Sequence, residues 1–89
     1  MPVVSMFYGI VIMMFFDDNR RHKKPHIHVE YQDEEAVFGI PDGTLLGGSL
    51  PPAKRKLVAA WIEIHQDELM ADWSLAVRKE SLFRIEPLR

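Results

Sequence analysis

Lys24-Pro25-His26-Ile27-His28-Val29-Glu30-Tyr31 is the stretch that decides how the rest of this chain is read. After Pro25 the residues alternate: His26, His28 and Glu30 share one parity, and Ile27, Val29 and Tyr31 share the other. Successive side chains of a strand point to opposite faces. The spacing therefore predicts a strand with an apolar trio against a core and two imidazoles plus a carboxylate on the far side. Pro25 suits the first position of such a strand, because it has no N–H to give to the ladder. It also biases Lys24 toward extended backbone.

Upstream, Val3–Phe7 is β-prone and Gly9 predicts a bend or bulge. Ile10 to Phe16 is unbroken apolar sequence, the pattern of a strand covered on both faces. Helices can cover one face. The other needs either a second protein chain or the Val3–Phe7 and C-terminal segments folded over it. Between the strands, Arg20-Arg21-His22-Lys23-Lys24 makes a basic loop that either holds an anion or is a solvated turn.

Downstream, Asp33-Glu34 reads as a tight turn and Glu35–Ile40 as a strand returning antiparallel. Pro41-Asp42-Gly43-Thr44 is a turn, with Gly43 available for positive φ. Thr44–Leu50 is a weaker strand, softened by Gly47-Gly48. Pro51-Pro52 can open a helix, where a missing N–H costs nothing. Val58, Ile62, His65, Leu69, Trp73 and Ala76 then recur at steps of three and four, an amphipathic stripe widened by Leu57, Trp61 and Ile64. One long helix, or two collinear ones kinked near His65, fits this pattern. Trp61 and Trp73 are expected as core anchors, and His65 as a hydrogen-bonded core group. Leu82, Phe83 and Ile85 make an apolar tail that adds an edge strand or locks the helix down.

The fold class is therefore α+β. A small antiparallel sheet of three to five strands, over about residues 3–50, packs on a long or kinked helix over about residues 52–79, and an extended tail follows. Eighty-nine residues make a single domain, 1–89, since a second core does not fit in this length. With 47% hydrophobic residues and no cysteine, the chain has neither disulfides nor a thiolate nucleophile, which fits a reducing compartment. A net charge of −2 excludes bulk attraction to nucleic acid, and no helix-turn-helix with a basic recognition helix is visible, so sequence-specific DNA binding is not expected. The apolar run from Val3 to Phe16 lacks a basic leader region and is shorter than the ~20 residues of a membrane span. It is expected to be part of the fold of a cytoplasmic protein that does not enter the membrane.

Same-face neighbours on a strand lie roughly 6.5–7 Å apart at Cα. His26 and His28 can thus converge on one divalent ion at about 2.0–2.1 Å, or on one phosphate, or bond to their surroundings. Candidate ligands for a metal such as zinc are His26, His28, His22 and Glu30. Candidate catalytic groups are His26, His28 and His22, because imidazoles exchange protons near neutral pH. Arg20, Arg21, Lys23 and Lys24 are candidates to hold an anion. So are Lys54 and Arg55 in the first helical turn, where side-chain charge and free N–H groups can act together; a solvated face is the alternative there.

His22-x-x-Pro25-His26-x-His28, with Phe7-Tyr8-Gly9-Ile10 upstream and Trp61, His65, Glu68-Leu69 and Trp73 downstream, resembles a bacterial family known as domain of unknown function 4160. Leu50-Pro51 and Ile85-Glu86-Pro87 extend the likeness over nearly the whole chain. The chain departs from it in carrying Asn19-Arg20-Arg21 before His22, and Lys23-Lys24 where proline is common. The resemblance implies a compact domain, often encoded beside a second small protein, with some members counted among toxin–antitoxin components. It implies no known reaction. Pro25-His26-x-His28-x-Glu30 is also similar to the histidine-triad nucleotide hydrolases, with Glu30 where their third histidine stands. The leading expectation is a binding or regulatory module, such as a toxin–antitoxin-like component, acting as a homodimer or with a small cognate protein. A histidine-dependent enzyme acting on a phosphodiester or nucleotide, and a divalent-metal-binding domain, are the alternatives.

Overall fold

Strands β1 (Val3–Phe7), β2 (Ile10–Met13), β3 (His26–Tyr31), β4 (Glu34–Gly39) and β5 (Leu45–Gly48) lie side by side in chain order as one antiparallel sheet. Helices α1 (Pro52–Ile64) and α2 (Gln66–Val77) follow. The structure is a computed structural model and describes residues 2–16 and 24–89.

The hairpins fix the register. Phe7 pairs with Ile10, leaving Tyr8 and Gly9 as a two-residue loop with φ of 50° and 79°. Positive φ at both positions marks a type I′ turn, whose twist matches the flanking strands. The bend expected at Gly9 is thus a complete hairpin turn. Tyr31 pairs with Glu34, so the second tight turn is Gln32-Asp33, one residue earlier than its sequence expectation, with Gln32 at φ 54°. The strand expected to reach Phe16 leaves the ladder after Met13.

Cross-strand pairing puts Phe7, Ile10 and Tyr31 on one face, followed by Ile12, Val29 and Ala36, then Ile27 and Phe38. Ile10, Ile12, Val29 and Ile27 are fully buried there. Val58, Trp61 and Ile62 are the buried side chains of α1 that join this core. The Trp61 ring lies 5.5 Å from that of Phe7. At His65 the backbone turns to φ −114°, ψ 29°, and its N–H is shared between the carbonyls of Trp61 and Ile62. This is the kink expected near His65.

Beyond the kink, α2 crosses the end of the sheet. Gln66 Nε2 donates to Pro41 O at 3.0 Å, just after β4, and Trp73 reaches His26 at the start of β3. The tail then returns along β1, where Ile85 N–H donates to Val4 O at 2.7 Å. It forms no strand and serves as a latch. Asp72 Oδ1 accepts the Phe83 N–H at 3.0 Å, and Trp61 Nε1–H donates to Glu86 O at 2.8 Å.

Among the described residues, the second face of the sheet is only partly covered. Met13 is buried there, while Val11, Glu30 and Val37 are half-buried and Met6 is 55% exposed. Neither segment proposed as its cover plays that part: Val3–Phe7 lies in the sheet beside β2, and the tail's Ile85 joins the helix-side core.

Candidate functional site

Four rings stand in a row at the end of the sheet where β2 stops and β3 begins. Phe15 meets His28 edge-on at 4.5 Å, His28 meets His26 at 5.2 Å, and His26 meets Trp73 at 5.1 Å. The strand alternation brings the two imidazoles together as expected. Their surroundings differ from expectation, because a helix over the Ile27 face was expected to miss both. α2 instead crosses the sheet end and lays Trp73 against His26, which is 1% exposed. Its register partner is Gly39, so no opposing side chain competes for that space. His26 Nδ1 lies 2.8 Å from Lys24 O. A carbonyl only accepts, so Nδ1 carries the proton in that bond. His28 is half-buried.

The remaining candidates are dispersed. Glu30 lies opposite Val11 and Glu35, beside a second carboxylate rather than an imidazole. Among the described residues no three His, Asp or Glu side chains are grouped so as to hold a metal ion. His22, Arg20, Arg21 and Lys23 lie outside the described residues. Lys24 pairs with Asp42 at 3.2 Å. The Thr44 hydroxyl bond first, and Lys24 second, hold the Asp42 carboxyl below its ordinary range. Lys54 Nζ stands 5.0 Å over the Tyr31 ring. Arg55 lines a separate cleft of about 310 Å³ with Lys56, Phe38 and Pro52. His65 packs on Trp61 at 5.5 Å and its Nδ1 meets Glu68 Oε1 at 2.5 Å, so it is hydrogen-bonded as expected, but it is half-buried at the edge of the core rather than inside it.

Two residues of this region were not read as functional from sequence. Trp73 was assigned to the core but not to His26, since the contact depends on the path of α2. Asp72 left a signal that could have been used. It lies three residues after Leu69 and four before Ala76, which puts a carboxylate on the buried side of the helix. It is 2% exposed.

The sequence profile of a family described as Domain of unknown function (DUF4160) matches residues 9–74. The chain belongs to the DUF4160 family. The matched region of this DUF4160 protein runs from the first hairpin turn into α2 and contains all four rings of the row. The tail latch lies beyond it. No curated protein and no solved structure matches the chain.

Two outcomes follow for this part of the DUF4160 fold. His26→Ala removes a buried ring from between Trp73 and His28, so it is expected to lower stability by about 2–4 kcal/mol, the range of large-to-small core changes. His28→Ala, at a half-buried position, is expected to cost about 1 kcal/mol. Urea denaturation checks both, and equal costs would contradict the burial difference. For Asp72, burial pushes the carboxyl above its ordinary value near 3.8, and the Glu68 charge adds to this, while the Phe83 N–H opposes it. The native state then holds this proton more tightly than the unfolded chain does. Its contribution to folding is fully present below the ordinary value and is lost as pH rises through the raised one. Asp72→Asn should therefore gain stability relative to the parent as pH rises through that window. A pH-independent difference in denaturation midpoint would refute this.

Proposed function

We propose that this chain is a protein-binding module that docks a partner carrying an apolar strip edged by Lys or Arg on the partly open face of its sheet. The observation that carries this reading is a composite surface. Met6, Val11 and Val37 lie on the same face as the cross-strand pair Glu30 and Glu35, and no cation pairs with either carboxylate among the described residues. Like charges directly opposite on a sheet destabilise it by a few tenths to about 1 kcal/mol. A basic rim on a partner relieves that repulsion while the apolar side chains leave water. The same carboxylates oppose a nucleic-acid backbone at this face. A toxin–antitoxin-like pair is the form of this reading that the family resemblance implies, and the lack of cysteine fits a reducing compartment such as the cytoplasm.

The hydrolase alternative needs an acid and a base within reach of substrate. His26 is 1% exposed with its Nδ1 on a backbone carbonyl, so the geometry favours the binding module. The metal alternative rests on His22 joining His26 and His28.

The test is capture from a cell lysate by the parent and by Val11→Lys with Val37→Lys, at low and high salt. A protein held by the parent, released by salt and lost at least ten-fold by the lysine variant, supports the reading. Retention by the lysine variant removes this face from consideration. Light scattering of the pure chain is expected to give a monomer, and a dimer lost in the lysine variant would name a second copy as the occupant. Phosphodiesterase activity abolished by His26→Ala and His28→Ala would favour the enzyme.

A further inference from the structure

We propose that the cleft between α2 and the C-terminal tail is a binding site for one organic cation, an ammonium or a guanidinium, received by the Asp72 carboxylate. The cleft has a volume of about 230 Å³ and is lined by Glu68, Ala71, Asp72, Phe83, Arg84 and Ile85. Asp72 is 2% exposed. One of its oxygens is used, since Oδ1 accepts the Phe83 N–H at 3.0 Å. The other, Oδ2, is buried and has no hydrogen-bond partner. A buried acceptor left without a donor is costly, and more so when it carries charge. The orphan oxygen is therefore a place where a donor is missing.

The lining says which kind of donor fits. Glu68 is one helical turn before Asp72, on the same side of α2, and adds a second carboxylate; one of its oxygens is held by His65. Burial keeps the Asp72 proton on more readily than usual, and a bound cation would reverse that by favouring the charged form. Phe83 is 73% exposed at the rim. An aromatic face beside carboxylates is the environment that ammonium and guanidinium groups seek, through ring quadrupole and charge-assisted hydrogen bonds together. Among the described residues fewer than three candidate metal ligands gather here, so a metal ion is not the fitting occupant. Arg84 is the internal competitor. It lines the same cleft, and its own guanidinium filling the place must be distinguished from an external cation.

The cation can come from a free small amine or from a Lys or Arg side chain of another protein. Both are tested by amide chemical-shift titration of the full ¹⁵N-labelled chain. The probes are n-butylguanidinium chloride, n-butylammonium chloride, a capped Gly-Arg-Gly peptide, and sodium chloride as the ionic-strength control. The expected result is saturable shifts at Asp72, Phe83 and Ile85 with an organic cation and none with sodium. Asp72→Asn, which keeps an oxygen for the Phe83 N–H, should weaken binding at least ten-fold, and Phe83→Ala two- to five-fold. Tighter binding of the peptide than of n-butylguanidinium assigns the site to a partner's side chain, and the reverse assigns it to a free amine. Equal binding by Asp72→Asn overturns the proposal. So does the absence of saturable shifts in the parent, and if Arg84→Gln alone then binds, the cleft is filled by the chain's own arginine.

Discussion

Trp61→Ala should lower the free energy of unfolding by about 3–5 kcal/mol, the range for removing a large aromatic from a core. A domain of this length is expected to be stable by roughly 4–13 kcal/mol, from about 0.05–0.15 kcal/mol per residue. The variant is therefore expected to be partly unfolded at room temperature. The reason lies in what the side chain connects. Trp61 is fully buried, packs on Phe7 of β1 at 5.5 Å and on His65 at the helix kink at 5.5 Å, and donates its Nε1–H to Glu86 O at 2.8 Å. It thus joins the first strand, the helix break and the tail. Trp61→Phe keeps most of the packing and gives up the bond to the tail, so about 1–2 kcal/mol is expected. Amide exchange should then show Ile85 and its bond to Val4 loosening before the sheet does. Urea midpoints separate the two variants. If alanine costs no more than phenylalanine, the core is not centred on this ring.

Much of this architecture was legible because the pleat has a period of two. Ile27 and Val29 against His26 and His28 is a pattern that only a strand satisfies. The antiparallel return of β4 against β3 and the α-helical stripe around Val58, Ile62 and Leu69 follow from equally local signals. The misses were of two kinds. At the turns, Tyr8 and Gln32 take positive φ without being glycine, so residue type understated the first hairpin and displaced the second by one residue. At the site, the decisive contact is between His26 and Trp73, which belong to different elements and meet only because α2 crosses the sheet end. Periodicity can say that Trp73 faces inward. It cannot say which strand residue Trp73 will cover, and so a histidine pair expected on the face away from the core has one member under a tryptophan.

Gly48→Ala is the other change expected to be severe, and it tests the pairing of β4 with β5. A Cβ at Gly48 would lie 2.1 Å from Glu35 O and 2.8 Å from Ala36 Cα, both backbone atoms that cannot rotate aside. Gly48 also has φ +72°, a conformation that costs an L-residue about 1–2 kcal/mol. Overpacking adds about 1–3 kcal/mol, so a loss of roughly 2–5 kcal/mol is expected unless β5 moves away. Moving would break the bond from Ser49 N–H to Glu35 O. Gly47→Ala is the matched control. It meets nothing within 4 Å and needs no positive φ, so it should change stability by less than about 0.5 kcal/mol. Amide exchange gives the finer reading, because a detached β5 loses protection at Ser49 and Gly39 while β2 and β3 keep theirs. Should the two alanine variants prove equally stable, the close approach of Gly48 to Glu35 is absent in solution, and β5 would have to pair in another register.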